Sequence, residues 1–211
     1  MPRFRHIASI ASVILIARSA VLGCTPGGVG DPCVPEDEYS PTFSGFGETA
    51  VNVESRSLQC ETRICVTDHF RGRVTCPYGQ TNDYLTANVS NAKSVDGTPD
   101  PGLCYVPTSN AEAVSVAVAP QLLQRRAENT VYCSCRCNGA DKSAHYCTCP
   151  SGYSCSPLVP DLGLGKAQLA GSYCLKDGIQ HDSIATGASC SSANGNCPSD
   201  QTNKKTRNPP P

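Results

Sequence analysis

The chain has no tryptophan, one methionine and four phenylalanines in 211 residues, and aromatic residues make up only 6%. So few large apolar side chains bury little surface per residue, while ordering the backbone costs about 1–2 kcal/mol per residue. Hydrophobic burial alone is therefore a thin basis for a fold. Catalytic signatures are also missing: the chain has no Gly-x-Ser-x-Gly elbow, phosphate-binding glycine loop, His-Glu-x-x-His run or Cys-x-x-Cys pair. Beyond the N-terminal segment only His69, His145 and His181 offer an imidazole. A basic surplus is absent too. Taking Arg3, Arg5 and Arg18 off the 17 basic residues leaves 14 against 18 acids, a formal charge of about −4. That balance argues against general nucleic-acid binding.

Long apolar runs are limited to one. Ile7 to Leu22 covers 16 residues and is interrupted by Arg18, whereas a spanning helix needs about 20. A basic start at Arg3 and Arg5, the apolar stretch from Ile7 to Ala17 and the small residues that follow make this an export signal over residues 1–23. Val21-Leu22-Gly23-Cys24 resembles the processing site of bacterial lipoproteins: an apolar residue, a small or apolar one, a small one, then the cysteine. The resemblance implies a diacylglycerol thioether at Cys24 and a further amide-linked acyl chain. Two or more chains anchor stably at about 0.8 kcal/mol per buried methylene. Thr25, standing where an aspartate would favour inner-membrane retention, implies the outer membrane. An ordinary secretory signal cut nearby is the alternative.

What the chain does have is cysteine. Setting Cys24 aside, fourteen remain: Cys33, Cys60, Cys65, Cys76, Cys104, Cys133, Cys135, Cys137, Cys147, Cys149, Cys155, Cys174, Cys190 and Cys197. Behind an export signal, this density reads as up to seven disulfides whose pairing spacing does not reveal. Bridges worth about 2–4 kcal/mol each would make up for the thin core.

Residues 24–42 read as a lipidated tether, 43–107 as a first cysteine-rich module, 108–198 as a second, and 199–211 as a solvated tail. Val51 to Leu58 alternates in strand fashion toward Cys60, and the turn His69 to Val74 suggests a hairpin between Ile64-Cys65-Val66 and Val74-Thr75-Cys76. Tyr78 to Pro107 is polar and rich in turn signals, so a long loop is expected. Val114, Val116 and Val118 alternate as a strand does, with a short helical or irregular piece after Pro120.

The period of two along a strand puts Cys133, Cys135 and Cys137 on one face, and Cys147 and Cys149 on another. A hairpin turning over residues 138–145 would bring those faces together as a sulfur-rich centre. Cys147-Thr148-Cys149-Pro150-Ser151-Gly152-Tyr153-Ser154-Cys155 resembles the second half of an epidermal-growth-factor-like module and implies a small hairpin. The layout of Gly30-Asp31-Pro32-Cys33-Val34-Pro35-Glu36, Gln59-Cys60-Glu61-Thr62-Arg63-Ile64-Cys65, Tyr132-Cys133-Ser134-Cys135-Arg136-Cys137 and Gly171-Ser172-Tyr173-Cys174 resembles cysteine-rich surface lipoproteins of myxobacteria and related bacteria. That family carries location and class without chemistry.

Two chemistries remain to weigh. Cys133, Cys135, Cys137, His145, Cys147 and Cys149 place six ligand-type residues within 17 positions, enough for tetrahedral zinc, but exported thiolates without metal would oxidise to disulfides. His69 beside Asp68, and His181 beside Asp182, are the only acid-oriented imidazoles. The expectation is a small disulfide-rich fold, mainly β hairpins and irregular loops with little helix, and no enzyme or cofactor. Its function is expected to be a lipid-anchored cell-surface structural or interaction module with an envelope or extracellular protein partner. An extracellular inhibitor or zinc-binding module is the alternative. Contact surfaces are expected around residues 70–73 and 78–101.

Overall fold

Two antiparallel three-stranded sheets, joined at a single cysteine, carry the body. The computed structural model describes residues 26–88, 100, 102–108, 112–161, 169–179 and 187–197. Strands β1 (Val51–Glu54), β2 (Ile64–Asp68) and β3 (Val131–Ser134) form the first sheet with β2 in the middle. Strands β4 (Arg136–Asn138), β6 (Gly171–Lys176) and β5 (Tyr153–Val159) form the second with β6 in the middle. The chain changes sheet at Cys135, between β3 and β4.

The middle strands explain the stacking. On β2, Val66 opposes Tyr132 of β3, and both face the second sheet, packing with Tyr173 and Leu175 of β6. Tyr132 adds an edge-on contact with Tyr153 at 5.6 Å, a favoured aromatic geometry. Cys65 and Cys133, one residue out of phase, face the other way into a core of Cys33, Val34, Phe70, Val74, Ala127 and Val131. With both faces covered, β2 is buried from Cys65 to Asp68. Ser134 Oγ donates to the Cys174 carbonyl at 2.8 Å, and the Tyr132 hydroxyl accepts the Lys176 amide at 2.8 Å, so polar bonds also join the sheets.

Away from the sheets, buried side chains replace backbone ladders. A 3₁₀ turn at Glu36–Tyr39 buries the Glu38 side chain completely against Arg73, itself fully buried. The Glu38 carboxylate accepts the Val74 amide at 2.5 Å, the Thr75 amide at 3.0 Å and the Thr75 hydroxyl at 2.7 Å. Arg73 donates to the carbonyls of Glu38, Ser40 and Phe43. Gln80 donates to the Val114 and Val116 carbonyls and accepts the Cys104 amide, while Gln121 joins the Arg73 carbonyl to the Ala127 amide. Each satisfies backbone groups whose burial unpaired would cost about 1–3 kcal/mol. Gly72, at φ +90°, lets three segments close on this frame: a Cβ there would lie 2.4 Å from the Ala119 carbonyl oxygen.

The small disulfide-rich class, mainly β with little helix, is the architecture observed. Several local expectations are corrected. Residues 26–41 pack into the body, since Cys33 and Glu38 are buried and Gly30 donates to the Cys133 carbonyl, so they are no free tether. The strand pairing of β2 with β3 joins the two expected modules across residue 107. β2 pairs with β1 and β3 and not with residues 74–76, because Arg73 and Val74 turn inward onto Glu38. The expected 78–107 loop contains helix α1 (Asn82–Asn88), and residues 114–119 form no strand, Val118 making one isolated bridge to Gln80. A second helix, α2, spans Ala127–Thr130. The signal, Cys24, residues 89–99, the sequences around Leu162 and His181, and the tail beyond Cys197 lie outside the described residues.

Candidate interaction surface and the cysteine frame

All fourteen cysteines from Cys33 to Cys197 are disulfide-bonded. Cys33–Cys65 and Cys60–Cys133 tie the N-terminal segment and the β1–β2 loop to the first sheet, and Cys76–Cys104 closes the irregular region. Cys135–Cys147, Cys137–Cys155 and Cys149–Cys174 bind the segment after β4 across the second sheet, and Cys190–Cys197 closes a small terminal loop. Cys133, Cys135 and Cys137 thus go to three different regions. The strand break at Cys135 leaves Cys133 with the first sheet and the other two with the second, so the single cysteine face expected over 133–137 does not form.

The expected hairpin over residues 138–145 is corrected as well. No strand runs through Cys147 and Cys149, and the antiparallel partner of β5 is β6. Asn138 ends β4, and residues 139–145 form a mostly exposed loop pinned by Asp141. Its carboxylate accepts the Ser143 amide at 2.8 Å and the Ser143 hydroxyl at 2.7 Å, and these bonds hold its pKa below the usual range.

Three groups bring three sulfurs close together: Cys33, Cys60 and Cys133; Cys135, Cys147 and Cys174; Cys137, Cys149 and Cys174. Every member is disulfide-bonded and offers no thiolate to zinc. His145 is in none of these groups, and Cys133 stands apart from the other cysteines of the expected zinc set.

His69 has a defined acid partner. Its Nδ1 lies 2.7 Å from Oδ1 of the buried Asp68, with φ +50° at His69. The pair orients an imidazole at the end of β2.

Of the two contact regions expected, residues 70–73 are mostly internal, with Arg71 half-buried. Phe70, Gly72 and Arg73 are buried, and Arg71 donates to Glu48 at 2.8 Å, to the Pro120 carbonyl and to Ser189. These arginines hold the fold instead of presenting charge. Within 78–101, Tyr84 is 39% exposed and donates to Asp100, which raises the pKa of its phenol.

The β1–β2 loop, residues 55–63, provides the projecting apolar side chain that pattern reading missed. Leu58 is 71% exposed, the most exposed large hydrophobic residue among the described ones, yet its flanks are fixed. The Ser57 amide donates to the Arg63 carbonyl, Gln59 exchanges two hydrogen bonds with the Val34 backbone at 2.8 and 2.9 Å, and Cys60 is bridged to Cys133. The sequence signal was Leu58 falling in step with the polar residues Asn52, Glu54 and Arg56, two positions before Cys60. Near the base of this loop, Glu54 shares an acidic surface with Glu36 and Asp37. Burial, then those two charges, raise its carboxyl pKa, against the Glu36 amide that it accepts.

Among the described residues, no helix is long and apolar enough to cross a membrane. Searches against protein-family models, curated proteins and solved structures match nothing.

Proposed function

We propose that the protein is an exported, lipid-anchored cell-surface module of the outer membrane that binds a protein partner without catalysing a reaction. The supporting observation is the closed pairing of Cys33 to Cys197. These fourteen sulfurs take one another as partners and leave Cys24, at the lipoprotein-like site, as the odd cysteine. A frame built this way is stable outside the cell and rigid enough to present loops, because cross-linking restricts the unfolded chain. Leu58 on its pinned loop is the contact residue: loops held on a rigid scaffold lose little entropy on binding.

The experiment is intact-mass analysis of the protein taken from its own cell envelope, with and without reduction before alkylation. A chain that starts at Cys24, carries acyl groups and exposes fourteen alkylatable thiols only after reduction supports the reading. An unacylated chain, or one with free thiols or bound zinc, overturns it. The inhibitor reading rests on the same loop, since an exposed Leu58 two positions from a disulfide-held Cys60 suits insertion into a protease's apolar pocket. Protease inhibition by the wild type that is lost in Leu58→Asp would select it.

A further inference from the structure

A row of cysteines runs from β5 through β6 of the second sheet to Cys135, the residue just before β4. Cys174 on β6 opposes Cys155 on β5, and the Arg136–Tyr173 register places Cys135 opposite Cys174 on the other side. There the Cys174 amide donates to the Cys135 carbonyl at 3.1 Å. Cys174 is nevertheless bonded to Cys149, and Cys135 to Cys147, both of which come from the segment after the exposed loop. Two disulfides therefore lie in contact, with Cys174 Sγ 3.5 Å from Cys135 Sγ and 3.7 Å from Cys147 Sγ.

An alternative bridge fits this ladder. Directly opposed antiparallel residues have Cα atoms about 4.5–5.5 Å apart, inside the window of about 4.4–6.8 Å that a disulfide spans. A Cys135–Cys174 bond would join residues whose backbones are already hydrogen-bonded and whose sulfurs already lie 3.5 Å apart. Burial favours the same rearrangement: Cys135 is 5% exposed and Cys174 0%, whereas Cys147 and Cys149 are both partly exposed. A free thiol has better access to water and reagents on the exposed pair, and a disulfide has no charge to solvate in the interior.

We propose that Cys135, Cys147, Cys149 and Cys174 form a thiol–disulfide exchange site, which on two-electron reduction by a dithiol presents its thiols as the surface pair Cys147-Thr148-Cys149. The thiolate of an external dithiol attacks Cys147 Sγ, breaks the Cys135–Cys147 bond and forms a mixed disulfide at Cys147. Cys135 leaves as thiolate and attacks Cys174 Sγ, forming Cys135–Cys174 and releasing Cys149. The dithiol's second sulfur then closes on its first, leaves as the cyclic disulfide and frees Cys147. The dithiol gives up two protons and two electrons; Cys147 and Cys149 take the protons, and one protein disulfide is lost while another has moved. The partner class is a dithiol reductant or a dithiol protein acting through the same steps.

The test treats the folded full chain with less than one equivalent of dithiothreitol, quenches with acid, alkylates the thiols and maps unreduced peptides. The expected result is first labelling at Cys147 and Cys149, with Cys135 and Cys174 in one cross-linked peptide. Labelling of a native pair, Cys135 with Cys147 or Cys149 with Cys174, or first opening of any other bridge, overturns the proposal. Cys147→Ser gives an independent reading without reductant. A Cys135–Cys174 bridge with a single labelled thiol at Cys149 is expected, and label at Cys135 with Cys149–Cys174 intact overturns it. If that variant does not fold, the wild-type map decides.

Discussion

Glu38 and Arg73 show how single residues substitute for a core in this chain. Both are fully buried, with Arg73 Nε 3.9 Å from Glu38 Oε2, and most of their hydrogen bonds go to backbone groups of segments 38–43 and 74–75. The Arg73 guanidinium also lies 5.7 Å from the centre of the Phe43 ring. Removing one partner leaves a buried charge and stranded carbonyls, so Arg73→Ala is expected to cost about 3–5 kcal/mol. Paired replacement by Leu at 38 and Met at 73 should cost less than the sum of the single changes, which thermal unfolding of the four variants would measure. A cost for Arg73→Ala below about 1 kcal/mol would show that the pair is incidental to stability. In sequence, Arg73 belongs to an Arg-Gly-Arg turn and reads as solvated. Its burial depends on Glu38, thirty-five positions away, which no local pattern reports.

At the scale of elements, the disulfides do unequal work. Cys60–Cys133 has a sequence separation of 73 and ties the β1–β2 loop to β3, whereas Cys190–Cys197 has a separation of 7 and lies in the terminal loop. Taken in isolation, the chain-entropy relation gives about 4.4 kcal/mol for the first closure and about 2.4 kcal/mol for the second. The Cys60→Ser/Cys133→Ser pair should therefore lower the melting temperature more than Cys190→Ser/Cys197→Ser, and it should also free the loop that carries Leu58. Amide exchange at residues 57–60 would report that loosening; equal effects from the two pairs would contradict this ranking. β2 was legible in advance because Ile64, Val66 and the β-branched Thr67 suit a strand. Its partners were not, since pairing is decided by which distant strand supplies a complementary face, here Tyr132 opposite Val66.

For the molecule as a whole, the absence of tryptophan leaves tyrosine as the main near-ultraviolet chromophore, so phenol ionisation is read directly by absorbance. Burial raises the phenol pKa values of Tyr39, Tyr105, Tyr132, Tyr153 and Tyr173, most of all that of Tyr132 between the sheets. A phenol whose folded pKa lies above its unfolded value of about 10 contributes stability fully present below that pH and lost as pH rises through the folded pKa. The melting temperature is thus expected to hold up to about pH 10 and to fall above it, with tyrosinate absorbance of these five phenols appearing late and together with unfolding. Titration of Tyr132, Tyr153 and Tyr173 near pH 10 in the folded protein would contradict the packing of the two sheets.

Composition alone determined the class of this protein. Without tryptophan and with few phenylalanines, a chain with fifteen cysteines calls for a cross-linked, mainly β frame with irregular connections. Tertiary structure alone decided which sulfurs meet, that residues 26–41 join the body, that Arg73 is buried and Arg71 is tied to Glu48 and Ser189, and that Leu58 projects. The physical reason is range. Composition and periodicity act over a few residues, whereas a disulfide, a buried ion pair and a strand partner are each chosen by segments up to 73 positions apart, once their faces have been brought together.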